Sequence, residues 1–329
     1  MRRRDFIALL GGAAAAWPLA LRAQQLNKLP IIGFLSNASP DAFPDRVDAF
    51  REGLRETGYI ADRNVAIEYR WAEGHNERLP RLAAELVDRK VNLIAAMGGP
   101  NIALAAKAAT TTIPVVFQIG VDPVELGLVA SLARPGSNIT GVTSLNVDVG
   151  PKRLELMHAM VPEANDFVLL VNPTNPTNAT ADTQDAQTAA SKIGVQIHVL
   201  QASSQDDFKD VFSKILQLRV GGLLLGTDAL FTGHKEQFID FSLRNLLPTI
   251  SPYREYARAG GLMSYGGDIV NSWHLAGVYA GRVLKGEKPA ALPVQQATKV
   301  ELILNLKTAK RLGITVPETL LARADEMIE

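Results

Sequence analysis

Two textures alternate along this chain. Short runs that are apolar on both parities, Ile31-Ile32-Gly33-Phe34-Leu35, Leu93–Met97 and Pro114–Phe117, predict strands buried on both faces. Between them apolar residues recur at helical spacing: Val47, Phe50 and Leu54, closing at Gly58, then Leu79, Leu82, Leu86 and Val87. These predict amphipathic helices. Asn64–Tyr69 alternates and reads as an edge strand. Strand–helix–strand repetition with short connections implies right-handed crossovers and a parallel sheet. After about residue 150 the rhythm restarts. Strands are predicted at Phe167–Val171, Val195–Leu200, Gly222–Leu225, Thr249-Ile250 and Gly261–Ser264, with helices over 177–192 and 205–218. Ser203 or Ser204 caps the second of these, with Asp206 and Asp207 in its first turn. The turn Arg134-Pro135-Gly136-Ser137-Asn138 leads into Ile139–Asn146, which reads as a strand running out of the first lobe. Two α/β lobes joined by extended crossings make a hinged pair with a cleft between them.

The N-terminus has a different texture. Arg3-Arg4-Asp5-Phe6-Ile7 is a twin-arginine pair followed by an apolar stretch that ends near Leu21-Arg22-Ala23. A basic start, a short apolar core and a small residue at the exit predict a twin-arginine export signal over 1–23, cleaved near Ala23. The apolar core falls short of the roughly 20 residues a membrane-spanning helix needs, and Pro18 interrupts it. The expected location is the periplasm. Without the signal, 306 residues carry 30 basic and 33 acidic side chains, which is no footprint for nucleic acid. The chain has no cysteine, so thiol catalysis, iron–sulfur clusters, Cys-ligated zinc and disulfides are excluded.

In an open parallel sheet, ligands sit beyond the carboxyl ends of the strands, where helix N-termini also point. In the first lobe that rule selects Ser36, Asn37 and Ser39 after the first strand, and Gly98, Gly99 and Asn101 after the third. Gly120 and Asp122 follow the fourth, and Thr143 lies at the outgoing strand. Paired glycines let a ligand approach the backbone, and Pro100 suits the first helical position. In the second lobe the matching positions are Asn172, Thr174, Thr227, Asp228, Tyr253 and Tyr265. Small polar groups, helix-start amides, two aspartates and two tyrosines suit a small, partly apolar solute with a carboxylate. Amides would hold the anion, either Asp228 or Asp122 an ammonium, and tyrosine faces the apolar part. Each Ser, Asn or Asp also has a plain reading as a helix cap, and Asp122 before Pro123 one as a turn.

Enzyme motifs are missing. There is no GxxxxGK[ST], and Met97–Asn101 lacks the GxGxxG spacing. Gly136–Gly141 is not GxSxG. His75, His158, His198, His234 and His274 are scattered and form no HExxH pair. No catalytic group, metal or cofactor is expected.

A family resemblance rests on longer motifs. Asp122-Pro123-Val124-x-x-Gly127-Leu128-Val129-x-Ser131-Leu132-Ala133-Arg134-Pro135-Gly136-x-Asn138-Ile139-Thr140-Gly141 resembles the signature of ABC-transporter substrate-binding proteins, of the kind described as tryptophan/tyrosine uptake components. Ala259–Gly266, Leu284-Lys285-Gly286-x-Lys288-Pro289, Leu292-Pro293-Val294, Asn305–Gly313 and Leu320–Glu326 match as well. The resemblance implies two Rossmann-like lobes with parallel sheets, a three-crossing hinge and the type I periplasmic-binding fold. It places 28–147 plus about 268–293 in the first lobe and 148–267 plus about 294–329 in the second. It implies capture of a small solute, an amino acid and aromatic by analogy, for a permease in the inner membrane, with no chemistry of its own; a monomer is the default for a hinge that presents itself to a permease. Aromatic-binding relatives carry Thr-Asp-Asn after the second-lobe strand; here Ala229 follows Thr227 and Asp228. An exported α/β enzyme using the same cleft, or a ligand-presenting sensory subunit, are the alternatives.

Overall fold

The computed structural model describes residues 29–329 apart from 145, 297 and 298. The export signal expected over 1–23 lies outside the described residues. In chain order the first part comprises β1 (Ile31–Ser36), α1 (Pro44–Glu56), β2 (Ala66–Trp71), α2 (Leu79–Asp88), β3 (Leu93–Met97), α3 (Pro100–Ala109), β4 (Val115–Ile119) and β5 (Ile139–Thr143). Next come α4 (Gly150–Met160), β6 (Asp166–Val171), α5 (Pro176–Ile193), β7 (Gln196–Gln201), α6 (Phe208–Leu218), β8 (Gly222–Leu225), α7 (Ala229–Gly233) and α8 (Lys235–Arg244). β9 (Thr249–Ser251), α9 (Arg254–Arg258), β10 (Met263–Gly267), α10 (Ile269–Leu284) and β11 (Gln295–Gln296) follow. The chain ends with β12 (Val300–Asn305), α11 (Leu306–Arg311), α12 (Glu318–Leu321) and β13 (Glu326–Ile328).

The strands form two sheets, ordered β11-β5-β4-β3-β1-β2 and β13-β12-β10-β9-β8-β6-β7. Strands read as apolar on both parities lie in the interior of these sheets because each is covered twice. Ile32 and Phe34 of β1 face the layer of α1 and α10, with Phe50 and Trp273. Leu35 faces the layer of α2 and α3, with Leu86 and Ile102. β2 is an edge strand, two residues later than its alternation suggested.

The first lobe recruits α10 from far along the chain, and glycine sets how closely it packs. A Cβ on Gly277 would stand 2.0 Å from the Phe50 carbonyl oxygen, and one on Gly53 would stand 1.9 Å from that of His274. Backbone therefore meets backbone where α1 and α10 cross.

Three crossings join the lobes. β5 stops at Thr143, short of the strand end expected at Asn146. There Ser144 Oγ donates to the Ile119 carbonyl (3.2 Å) and the Val147 amide to that of Gly120 (3.0 Å). These bonds turn the chain out of the sheet. The second crossing follows β10 and is tied to the first, since Asn146 Oδ1 accepts from the Gly267 amide at 2.6 Å. The third comes after β11. Because Gln295–Gln296 pairs with β5, the return to the second lobe falls later than residue 294. One pairing departs from a purely parallel reading: β12 is antiparallel to β10. The chain leaves by the cleft end of β10 and re-enters at that same end, so the returning strand must run the other way.

Candidate functional site

Each lobe presents half of a site at the carboxyl ends of its strands. In the first lobe Ser36 ends β1 and Asn37 follows it, both buried. Gly98 follows β3 with φ +114°, a conformation few other residues adopt; its missing Cβ would lie 3.7 Å from both Asn37 Oδ1 and Ser36 Oγ. Gly99 precedes Pro100, which starts α3 as predicted, and Asn101 is the next residue. Gly120, after β4, stands with its would-be Cβ 3.8 Å from Thr227 Cγ2 of the other lobe.

The second-lobe half is a buried polar network. Asp228 caps α7 and is 5% exposed. Its Oδ1 accepts from Asn172 Nδ2 (3.0 Å) and the Leu230 amide (2.9 Å), and its Oδ2 from Asn175 Nδ2 (2.9 Å). A carboxylate has about four lone-pair sites, so one on Oδ2 is free. Burial pushes the Asp228 carboxyl above its ordinary range, against the pull of Asn172 and Asn175.

A second layer holds this residue and its neighbour in place. Asp182 Oδ2 accepts from the Thr227 amide (2.7 Å), Asn178 Nδ2 donates to the Thr227 carbonyl (2.6 Å), and Arg153 reaches Asp182 Oδ1 (3.4 Å) and Thr227 Oγ1 (3.3 Å). Burial raises Asp182 to about 6 in spite of Arg153. Sequence reasoning passed over Asn178 and Asp182, whose signal is an i, i+4 polar pair beside the alanines Ala186, Ala189 and Ala190 on one face of α5.

The halves touch. Asn37 Nδ2 donates to Asn76 Oδ1 (3.4 Å); Asn76 Nδ2 donates to Thr174 Oγ1 (3.0 Å); and Thr174 Oγ1 donates to Asn172 Oδ1 (2.8 Å), beside Asp228. Asn101 Nδ2 adds a bond to the Thr174 carbonyl at 3.1 Å. Elsewhere on the seam Arg46 of α1 pairs with Glu255 of α9 at 3.0 Å. Tyr253 packs into the first lobe's core cluster, and burial raises its hydroxyl to about 12. The cleft is therefore closed. Behind Asp228, a void lined by second-lobe residues alone, among them Asn178, Asp182 and Thr227, admits no water-sized sphere.

Three selected residues stand apart from this arrangement. Ser39 is exposed on the loop after β1. Thr143 is fully buried and donates to the Val121 carbonyl at 3.0 Å, so its hydroxyl serves the fold. Tyr265 packs against the second lobe's core cluster, with Leu302 and Leu304. Asp122 accepts from the Val124 amide at 2.6 Å, the turn reading. It also borders a cavity of about 490 Å³ between loop 121–126, the first crossing and α5, together with Glu125, Asp148 and Asp185. Burial there raises Asp148, with Asp122 and Asp185 adding to the shift.

Two lobes, three crossings and a cleft between strand ends describe a clamp, and the comparisons say which kind. Residues 29–328 match the family described as ABC transporter substrate binding protein. The chain belongs to that family. A curated relative, the tyrosine-binding protein of Clostridioides difficile (strain R20291), is 28% identical over 266 residues, 80% of this chain and 75% of that one. Among solved structures, an ABC domain from Streptococcus pneumonia in complex with L-Trp superposes with a TM-score of 0.81 at 24% identity, covering 92% of this chain and all of that one. A ligand-free, open structure of a substrate binding protein with adhesive properties from Clostridium difficile gives 0.62 at 24% identity, covering 91% and 99%. The architecture is that of type I periplasmic-binding proteins. As a member of this family the chain is a substrate-binding protein of an ABC transporter rather than an enzyme.

Proposed function

We propose that the protein captures an α-amino acid with an aromatic side chain in the interlobe cleft and delivers it to an inner-membrane ABC permease after export to the periplasm. The observation that carries this reading is Asp228. It is a buried carboxylate with one lone pair free, at a strand end that faces the first lobe across Gly120. The ammonium goes to Asp228, and Asp122 keeps its turn. Amides at the starts of the flanking helices receive the carboxylate, and Tyr253 offers its face to the ring. The family membership and the tyrosine-binding relative support the solute class.

Closure follows from a solute that touches both lobes at once, since only such a ligand distinguishes the closed state from the open one. Gly98, Gly99 and Asn101 on one side act with Asn172, Thr227 and Asp228 on the other. Because side-chain bonds through Asn76, Thr174 and Asn172 join the lobes beside Asp228, the solute enters the open form. The test is a thermal-shift screen of the chain after unfolding and refolding, with amino acids, aromatic acids, sugars and nucleosides. A solute at about a hundredfold above its Kd stabilises by roughly 2.7 kcal/mol, a rise of about 5–10 °C for lobes of this size. Shifts with L-tyrosine or L-tryptophan are expected; shifts with sugars or nucleosides alone would reject the amino-acid reading.

A further inference from the structure

Arg46 has no role in the solute site just described, yet it is among the most buried charges of the chain, 4% exposed. It belongs to the first lobe, on α1, and what surrounds it belongs largely to the second. Its Nε and Nη2 both lie 3.0 Å from Glu255 Oε1 on α9. Its guanidinium lies 4.1 Å from the ring centroid of Phe43 on its own side and 4.7 Å from that of Tyr253 across the cleft. Glu255 Oε2 and Arg46 Nη2 are both buried with no hydrogen-bond partner. Charge and π-face thus hold one side chain to the opposite lobe, and the tyrosine it holds is the one the proposed function sets against the solute.

We propose that Arg46 and Glu255 form a latch that sets how far the lobes close before solute arrives, and that through it Arg46 is a positioning residue for Tyr253. This rests on the binding reading of the cleft. Opening would rehydrate both ions, and closing pairs them. Neutralising one partner leaves the other buried and uncompensated, which opposes closure. Apparent affinity falls in proportion to the fraction of molecules able to close. Removing both charges together relieves that penalty, so the two substitutions cannot be additive.

The chain has no cysteine, so exposed Asp88 on α2 and Lys214 on α6 can be changed to cysteine and spin-labelled. Interlobe distances are then measured on the full chain by pulsed electron paramagnetic resonance. Without solute, the parent is expected to show a dominant short distance. Arg46→Gln and Glu255→Gln should each populate a longer one, Arg46→Lys should keep the short one in part, and the double variant should fall nearer the parent than either single. With L-tyrosine as probe, each single variant should bind about 5- to 30-fold more weakly, and the double no more weakly than the singles. Melting curves establish that each variant is folded, and Glu255→Gln, at the more exposed partner, decides the matter if Arg46→Gln is not. Distances unchanged in the single variants, or additive losses in the double, would overturn the latch. If the parent does not bind L-tyrosine, the solute assignment fails, while the distances still decide the latch.

Discussion

Replacing Asp228 by asparagine removes one charge and almost no volume. In the ligand-free fold the change is mild. The new carbonyl can keep the Asn172 and Leu230 donors now on Oδ1 at 3.0 and 2.9 Å. The new amide would face Asn175 Nδ2, but Asn175 Oδ1 has no partner, so a rotation of that amide restores the bond. A stability loss of about 1 kcal/mol or less follows. Binding should suffer more, because an ammonium loses a charged acceptor worth about 1.5–3 kcal/mol, a 10- to 150-fold rise in Kd. Alanine is the wrong probe, since it strands three donors at about 1–3 kcal/mol each. The assay is isothermal titration calorimetry of L-tyrosine and its deamino analogue 3-(4-hydroxyphenyl)propionate against both proteins. The parent should discriminate strongly against the analogue and Asp228→Asn hardly at all. If Asp228→Asn binds L-tyrosine within twofold of the parent and still rejects the analogue, the ammonium sits elsewhere and the argument from the free lone pair is wrong.

Further outcomes are expected. Burial raises Asp228, so its charged form is lost at a higher pH than for an ordinary carboxylate; affinity for L-tyrosine should decline on acidification before ordinary carboxylates protonate, and Asp228→Asn should flatten that profile. Asp182 is raised to about 6 from 3.8, so the folded state binds the extra proton and this residue favours folding increasingly as pH falls from about 6 toward 4. Carboxyl carbon NMR should show a resonance titrating near 6 that disappears in Asp182→Asn; its absence in the parent would contradict the burial argument. Gly277→Ala places a methyl 2.0 Å from the Phe50 carbonyl oxygen and should cost about 1–3 kcal/mol, a fall in Tm of several degrees, whereas Gly120→Ala, with nothing closer than 3.7 Å, should melt as the parent does.

The fold was legible where local chemistry and tertiary demand agree. Strands such as Leu93–Met97 are apolar on both parities because helices cover both faces, and Pro100 opens its helix because its fixed φ suits the first turn. Asn172, Thr227 and Asp228 could be selected because strand ends face the cleft whatever the ligand. Side-chain direction was harder. Thr143 and Tyr265 sit at the right strand ends, but pleating turns one onto the Val121 carbonyl and the other onto the second-lobe core. Asn178 and Asp182 were passed over, because nothing local reveals that the Thr227 backbone presses against them. The pairing of Arg46 with Glu255 spans 209 positions and leaves no trace in either segment. The antiparallel β12 likewise follows from the chain's return across the hinge, which no periodicity reports.

The central claim is that one solute is held by both lobes at once. Hydrogen–deuterium exchange of the refolded chain with and without saturating L-tyrosine tests it directly. The account predicts that protection rises together in the first-lobe segments around 98–101 and 120–122 and in the second-lobe segments around 172–175 and 226–228. Protection confined to one lobe, or none at saturation, would contradict it.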